Sequence, residues 1–431
     1  MTRTMKNSGI EWIGEIPETW KIERLSHHLV EINEKNLPIK TTNVLSLTNK
    51  LGVIPYEDKG NQGNKAKENY EEYKIAYKDT IIANSMNILI GSVGYSNYFG
   101  CISPVYYVFK EKKGNNLYFL NYIMQTPQFQ KELRKYANGI LEIRLRLSAN
   151  DILKRMGAFP LLDEQNKITA FLENKCGVID NIIKRTEQSI EEYKRLKQSV
   201  ITEAVTKGVP PNRKMKDSNI DWIGEIPQDW DILKLRYLYR CQNGISKAAE
   251  FFGKGFPFVS YKDVYNNDVI PKNVSGLCKV NEEELKRYSV QKGDIFFTRT
   301  SETIEEIGLT SICLETFENA TFAGFLIRCR PFTKKLDLRY SKYYMASSHL
   351  RFYFVKEMNL VTRASLGQEL LKNMQVLIPP LDEQKEIADY LDKKCAEIDT
   401  LIEKKQQFLT EMTNYKKSLI YEYVTGKKEV V

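Results

Sequence analysis

Residues 162–206, LDEQNKITAFLENKCGVIDNIIKRTEQSIEEYKRLKQSVITEAVT, decide the fold of this 431-residue chain. Pro160 precedes the stretch and no proline interrupts it. Asp163 and Glu164 fall in its first turn, where acidic side chains interact favourably with the helix dipole. The hydrophobic period is helical, so the sequence predicts one helix over 163–206. Its 44 residues, at ~1.5 Å per residue, would form a rod roughly 66 Å long.

The same stretch occurs a second time, at an offset of 219 residues. The motif LDEQ at 162–165 recurs at 381–384, and matches continue as far as Val205-Thr206 and Val424-Thr425. Each copy carries apolar residues at alternating spacings of three and four, which is typical of a coiled-coil seam. The seam residues are Leu172, Ile179, Ile183, Ile190, Tyr193 and Val200, and Leu391, Ile398, Ile402, Leu409, Met412 and Leu419.

The two seams predict how the helices pair. Polar residues interrupt both seams at the same two places, and these are Thr186 and Lys197 in the first copy and Lys405 and Lys416 in the second. Because one chain supplies both seams, we expect an intramolecular antiparallel pair with one insert near each end, rather than a homodimeric coil. A helical hairpin inside a globular core is the alternative. The outer faces are dense with Lys, Glu and Gln, and this favours a solvated rod.

A shorter frame is also duplicated. KNSGIEWIGEIPETWKIERL at 6–25 and KDSNIDWIGEIPQDWDILKL at 216–235 agree at twelve of twenty positions and contain all four tryptophans. Between the frames, residues 26–158 and 236–377 share only weak sequence similarity. The sequence therefore predicts two similar modules that present two different surfaces.

Each insert carries short β-rich runs followed by a helical pattern. The fold class predicted is α+β, with two α+β domains separated by a long antiparallel coiled coil in a pseudo-twofold repeat. The predicted strands are 43–47, 80–83, 105–109, 256–261, 295–298 and 325–329, and the predicted insert helices are 117–136 and 338–357. The predicted segments are 1–158 (frame and first insert), 159–207 (first long helix), 208–230 (linker and second frame), 231–377 (second insert) and 378–431 (second long helix).

Polar, basic and aromatic residues in the inserts are candidates for contacting DNA, because base edges and phosphates are read by such side chains. In the first insert the candidates are Ser46, Thr48, Asn49, Asn84, Asn87, Arg144 and Arg146. In the second they are Lys254, Tyr261, Lys262, Arg299, Thr300, Ser301 and Arg363. Each of them taken singly is also compatible with an ordinary solvated side chain.

The composition favours some classes of protein function and argues against others. The 64 Lys and Arg against 55 Asp and Glu give a net charge of +9, which is compatible with a polyanionic partner. Seven cysteines without a C-x-x-C pair argue against a disulfide framework and a cysteine-rich zinc site. No apolar run is long enough to span a membrane, and we expect a reducing cytoplasm.

Catalytic signatures are absent from the sequence. No dinucleotide or P-loop motif occurs, His27, His28 and His349 have no metal-ligand spacing, and no Asn-Pro-Pro-aromatic motif is found. A loose acidic-Lys pattern resembles that of nucleases, but the solvated helix explains it better. Its residues are Pro160, Asp163, Glu173 and Lys175, and Pro379, Asp382, Asp392 and Lys394. The sequence therefore predicts a chain that is not an enzyme and holds no metal.

Together these motifs resemble the specificity subunit of type I restriction–modification systems over essentially the whole length. The motifs that carry the resemblance are Trp12–Pro17, Trp222–Pro227, Pro160–Gln165, Pro379–Gln384 and Glu203–Gly208. The C-terminal copy departs slightly, with Val424-Thr425-Gly426-Lys427. The resemblance implies a non-catalytic subunit whose inserts are target recognition domains, each reading half of a bipartite, asymmetric site in double-stranded DNA.

The resemblance also implies the partners. The long helices would fix the gap between half-sites and bind two modification subunits, which hold S-adenosylmethionine and methylate adenine. Restriction subunits, which use ATP and Mg²⁺, would join through that core, and this chain would bind no cofactor. The alternative from a different class is a pseudo-dimeric coiled-coil scaffold that binds only proteins.

Overall fold

A computed structural model describes residues 3–48, 52–60, 69–112, 114–137, 146–301, 306–350, 353–354 and 364–430. The chain forms two compact units. Unit 1 contains residues 1–187 and 407–431, and unit 2 contains residues 188–406. Each unit therefore holds one Trp-containing frame, one insert and a part of both long helices.

Unit 1 is a mixture of short strands and helices around one core. Its strands are β1 Met5–Asn7, β2 Glu15–Pro17, β3 Lys21–Arg24, β4 Leu29–Ile32, β5 Leu45–Thr48, β6 Gly52–Pro55, β7 Lys74–Ala76, β8 Thr80–Asn84, β9 Val93–Ser96, β10 Gly100–Ile102, β11 Tyr106–Glu111 and β12 Met156–Phe159. Its helices are α1 Leu25–His28, α2 Leu117–Gln125, α3 Pro127–Arg134 and α4 Ala149–Leu153, and it includes the first part of α5 Leu162–Lys207.

Unit 2 has the same kind of composition. Its strands are β13 Met215–Asp217, β14 Glu225–Pro227, β15 Asp231–Lys234, β16 Tyr239–Asn243, β17 Phe252–Val259, β18 Leu277–Cys278, β19 Ile295–Thr298, β20 Thr300–Ser301, β21 Thr310–Ile312, β22 Thr321–Phe322, β23 Leu326–Pro331, β24 Ala364–Ser365 and β25 Gln375–Ile378. Its helices are α6 Tyr261–Tyr265, α7 Glu282–Arg287, α8 Leu338–Ala346 and α9 Gln368–Asn373, and it includes the first part of α10 Leu381–Val424.

The two inserts share a sheet although their sequences diverge. Unit 1 has a four-stranded antiparallel sheet in the order β4-β11-β8-β9, and unit 2 has the equivalent order β16-β23-β19-β21. Outside this sheet the inserts differ, because unit 1 adds the hairpin β5–β6 and unit 2 adds the sheet β18-β17-β22. The α+β class predicted from the sequence is confirmed.

Within each unit the long helices run antiparallel. In unit 1, Leu172 and Ile179 of α5 share a core with Leu419 and Tyr423 near the end of α10. In unit 2 the pattern is repeated the other way round, with the end of α5 against the start of α10. All twelve seam residues are buried or half-buried, as packing of the two seams requires.

Two lysines that interrupt the seams have acidic partners on the facing helix. In unit 1, Lys416 Nζ lies 2.6 Å from Asp180 Oδ1. In unit 2, Lys197 Nζ lies 2.8 Å from Asp399 Oδ2. Because Asp399 and Lys416 are Asp180 and Lys197 shifted by 219 residues, the same ion pair is made once in each unit.

The structure differs from the sequence prediction at both insert helices. The helix predicted over 338–357 ends at Ala346, because Ser347 has extended backbone. The helix predicted over 117–136 is two helices, α2 and α3, divided at Thr126. Pro127 disfavours helical backbone in the residue before it, and Thr126 has extended backbone instead. The Thr126 hydroxyl accepts a hydrogen bond from the Phe129 N–H, and this caps the second helix.

Candidate nucleic-acid interface

The repeated LDEQ motif fixes the frame to the start of each long helix. In unit 1, Glu164 accepts hydrogen bonds from the Trp20 indole, at 3.2 Å, and from Arg3. In unit 2, Glu383 accepts the equivalent bonds from the Trp230 indole, at 2.9 Å, and from Arg213. Both indoles are fully buried, so each glutamate satisfies a donor that would otherwise lack a partner.

The glutamine of the same motif fixes the insert. Gln165 Oε1 accepts from the Asn116 backbone N–H at 2.9 Å, and its amide donates to the Pro160 carbonyl. Gln384 makes the equivalent bonds to Asp337 and Pro379. Since Asn116 and Asp337 cap α2 and α8, the motif places the later part of each insert against a long helix.

In unit 1, the ends of two strands and the segment that leads into α4 meet in a small cluster. Ser85, just after β8, donates its N–H to the Val105 carbonyl and accepts from the Leu147 N–H, both at 3.3 Å. Val105 lies in a turn closed by a 3.0 Å bond from the Tyr106 N–H to the Ser103 carbonyl. We call Ser85, Val105 and Leu147 the strand-end cluster of unit 1.

Unit 2 builds the same cluster from different residues. Arg299, just after β19, donates its N–H to the Phe325 carbonyl at 2.9 Å and accepts from the Leu366 N–H at 2.7 Å. The turn that holds Phe325 is closed by a 3.0 Å bond from the Leu326 N–H to the Ala323 carbonyl. The strand-end cluster of unit 2 is therefore Arg299, Phe325 and Leu366. The pattern of backbone hydrogen bonds and the leucine are the same in both units, and the other two side chains differ.

Several predicted DNA-contacting residues surround the cluster of unit 1. Asn84 directly precedes Ser85, but it is buried and its side chain accepts from the Met86 N–H at 3.0 Å, so it is poorly placed to contact a ligand. Asn87 and Arg146 are exposed; the Asn87 N–H donates to the Asn84 carbonyl at 3.1 Å, and Arg146 precedes Leu147 in the chain.

Two other candidates of the first insert lie on the hairpin β5–β6. Ser46 is buried and pairs with Ile54. The Thr48 hydroxyl donates to the Gly52 carbonyl at 3.3 Å. Its burial leaves Ser46 poorly placed to contact a ligand.

Most candidates of the second insert gather at the cluster of unit 2. Thr300 and Ser301 continue from Arg299 and pair with β24. Tyr261 and Lys262 begin α6 one residue after β17, whose last carbonyl accepts from the Ala323 N–H at 3.0 Å. Lys254 is exposed but lies in the first half of β17, away from that end. Asn49, Arg144 and Arg363 lie outside the described residues.

Hydrogen bonding and burial shape the electrostatics near these clusters. Tyr265 stacks with Tyr261 at a ring-centroid distance of 5.8 Å and donates to Glu306 at 2.8 Å. This bond to a carboxylate raises the pKa of the Tyr265 hydroxyl, which keeps it protonated. Deeper in the sheet, burial lowers the pKa of Arg328 to about 10, and its guanidinium donates to the Ser289 carbonyl. Arg328 therefore supports the sheet and does not face a ligand.

Two exposed apolar residues were missed by the sequence reasoning. The sequence assigned Val105 and Phe325 to strands, but both lie in the turn before β11 and β23. Phe325 is 64% exposed and Val105 is 37% exposed. The Gly324-Phe325 and Pro104-Val105 pairs are turn signals that could have moved the strand starts by one residue.

Within the ranges given above, no helix is both long enough and apolar enough to cross a membrane. In the same part of the chain, no three His, Cys, Asp or Glu side chains lie together as a metal ion would require.

Comparison with known proteins gives concordant matches. Residues 227–411 match the model of the type I restriction modification DNA specificity domain. The chain is 24% identical to the MjaVIII specificity subunit of Methanocaldococcus jannaschii, covering 96% of this chain and 94% of that protein. It is 24% identical to the EcoKI specificity subunit of Escherichia coli K12, covering 83% of this chain and 76% of that protein.

The fold also matches a solved structure. A chain from a study of complex assembly and conformational transition in a type I R-M system superposes with a TM-score of 0.70 at 15% identity, covering 96% of this chain and 99% of that one. At this identity the likeness concerns the fold.

Proposed function

Because the chain carries a type I restriction–modification DNA specificity domain and is related along nearly its whole length to type I specificity subunits, we propose that it reads a bipartite, asymmetric DNA site with one insert per half-site. It does so without catalysing a reaction. The observation that carries the proposal is the strand-end cluster, which is built on the same backbone bonds in both units but exposes Val105 in one unit and Phe325 in the other. Two equal scaffolds with unlike side chains suit two unlike half-sites.

The long helices support a second part of the proposal, the docking of two modification subunits. In unit 1, Ile182 and Tyr415 are apolar and 37% and 52% exposed. In unit 2, Leu401 and Leu196 stand at the equivalent positions and are 41% and 48% exposed. The ion pairs Asp180–Lys416 and Lys197–Asp399 place each apolar pair at neighbouring register positions on the two helices.

Each unit thus offers one equivalent apolar pair on its solvated helical surface, which is the pattern expected for one protein partner per unit. We name the partner as a modification subunit, which would bind S-adenosylmethionine and methylate adenine. Restriction subunits would supply the chemistry that needs ATP and Mg²⁺. This chain would contribute the choice of site and the positioning of its partners.

Exchange of one insert tests the proposal. The complex of this chain with its modification subunits is used to map methylated adenines, first with the native chain and then with residues 26–158 replaced by the first insert of a relative. One half-site should change and the other should stay the same, so the second insert serves as the internal control. A change in both half-sites contradicts one insert per half-site.

Binding under controlled salt tests DNA recognition itself. Affinity should fall steeply as salt rises, because phosphate contacts release counterions. A mobility-shift experiment at low salt should also show preference for the mapped site over scrambled DNA. Equal binding to both DNAs, or none, would favour the protein-binding scaffold.

A further inference from the structure

The exposed apolar residue of each strand-end cluster is placed rigidly. Phe325 has its carbonyl bound by the Arg299 N–H at 2.9 Å, and on its two sides the Gly324 and Leu326 N–H groups donate to the Ile245 and Ala323 carbonyls at 2.8 and 3.0 Å. Its ring is nevertheless 64% exposed. A large apolar side chain held in water on a well-bonded turn gains nothing from burial in the free protein, and a ligand that covered it would gain that free energy on binding.

The surroundings indicate what that ligand is. The cluster of unit 2 brings Arg299 and Thr300 to the same strand end as Phe325, and Tyr261 and Lys262 begin α6 beside the same turn. Cationic and hydroxyl-bearing residues at the same strand end as one exposed apolar residue match the major groove of DNA. There, phosphates and acceptor atoms surround the methyl group that every A·T pair presents through its thymine.

We propose that Phe325 contacts a thymine methyl group in the major groove of one half-site, and that Val105 makes the equivalent contact in the other. The inference rests on the proposed function and deepens it by naming two residues that determine specificity. Val105 occupies the same corner of the same hydrogen-bonded turn, with its carbonyl bound by the Ser85 N–H at 3.3 Å. The smaller side chain would make a smaller contact.

Uracil substitution isolates the methyl group. Once methylation mapping has given the site, each thymine of both half-sites is replaced singly by deoxyuridine, and binding by the complex of the chain with its modification subunits is measured in competition. For the native chain, one uracil in one half-site should weaken binding about fourfold, the effect expected from losing one buried methyl group. The Phe325→Ala complex should bind more weakly and no longer distinguish uracil from thymine at that position.

Two variants serve as controls. Phe332 is 49% exposed just beyond the other end of β23, so Phe332→Ala removes another exposed ring and should leave the uracil response unchanged. Val105→Ala should reduce methyl sensitivity at one position of the other half-site and leave the Phe325-dependent position alone.

Each outcome is decisive. An unchanged uracil profile in Phe325→Ala overturns the inference but, with site-selective binding intact, leaves the proposed function standing. Weaker binding by Phe325→Ala without dependence on any thymine methyl would instead assign the ring to a wedge between base pairs and also overturns the methyl contact. Absence of site-selective binding by the native complex overturns the proposed function and the inference together.

Discussion

His349 shows how a single buried side chain makes unit 2 sensitive to acid. Its ring stacks on Trp222 at a centroid distance of 5.5 Å, and its Nδ1 lies 2.7 Å from the Ser347 hydroxyl oxygen. Burial lowers the pKa of His349 to about 4, because the imidazolium loses its hydration there. The folded unit therefore holds His349 neutral over a pH range in which the unfolded chain would protonate it.

Unit 2 should lose stability as the pH falls below about 6.5. The unfolded histidine, with a pKa near 6.5, binds a proton between about pH 6.5 and 4 while the folded one does not. The free energy of unfolding is therefore unaffected by His349 above about pH 6.5, and it falls as the pH drops towards 4, by up to about 3 kcal/mol. Urea unfolding of the native chain and of His349→Asn at pH 7 and pH 5 measures it. The variant should lose less stability between the two pH values, and parallel losses would contradict the assignment.

At the scale of elements, the duplicated ion pairs fix the register of the long helices. Asp180→Lys places two lysines opposite each other in unit 1 and should lower the free energy of unfolding by about 1 kcal/mol, since the pair is partly exposed to solvent. Adding Lys416→Asp should restore most of the loss by reversing the pair. The same reversal at Asp399 and Lys197 in unit 2 is the matched control. A double variant no more stable than Asp180→Lys would show that the pair does not couple in this register.

The long helices were predictable because their signals are local. The predicted 163–206 differs from the observed Leu162–Lys207 by one residue at each end, and the heptad spacing is complete within the segment itself. The strand-end clusters were not predictable in the same way. Their bonds join Ser85 to Val105 and Leu147, residues 20 and 62 positions apart in the chain, and no periodicity reports such a meeting.

The polar residues that interrupt the seams could be predicted from the sequence, but their partners could not. The sequence marked Lys197 and Lys416 as polar positions in apolar seams, which is a local observation. Their partners, Asp399 and Asp180, became visible only when the two segments were placed side by side. Lys405 has a further partner of this kind, since its ammonium lies 5.5 Å from the centre of the Tyr193 ring.

At the scale of the whole molecule, unit 1 combines an N-terminal and a C-terminal part of the chain, residues 1–187 and 407–431. Leu419, Ile420 and Val424 belong to the same core as the first frame. The Tyr421 hydroxyl donates to the Trp12 carbonyl at 2.9 Å, and Lys427 Nζ donates to the Ile13 carbonyl at 2.8 Å. Unit 2, by contrast, is continuous in sequence from 188 to 406.

Removal of residues 419–431 should therefore act on one unit. The loss of several buried side chains should destabilise unit 1 by more than about 4 kcal/mol, while unit 2 keeps all of its residues. Hydrogen exchange followed by mass spectrometry should show faster exchange in the first frame and insert, with residues 216–378 as the internal reference. Equal acceleration in both units would contradict the division of the chain.

The continuity of α5 and α10 through both units leads to a prediction about the DNA site. Each helix passes from one unit to the other without interruption, so the proposed gap between half-sites should depend on the number of residues along them. Insertion of one heptad after Glu187 and one after Gln406 preserves the seam and the antiparallel register, and it adds about 10.5 Å of helix. The gap in the methylated site should lengthen by up to about three base pairs, at 3.4 Å each, while both half-sites keep their sequence. Insertion of four residues in only one helix shifts the seams out of register and should instead reduce assembly. A variant that carries both heptads and still methylates the original spacing would show that the helices do not set the gap.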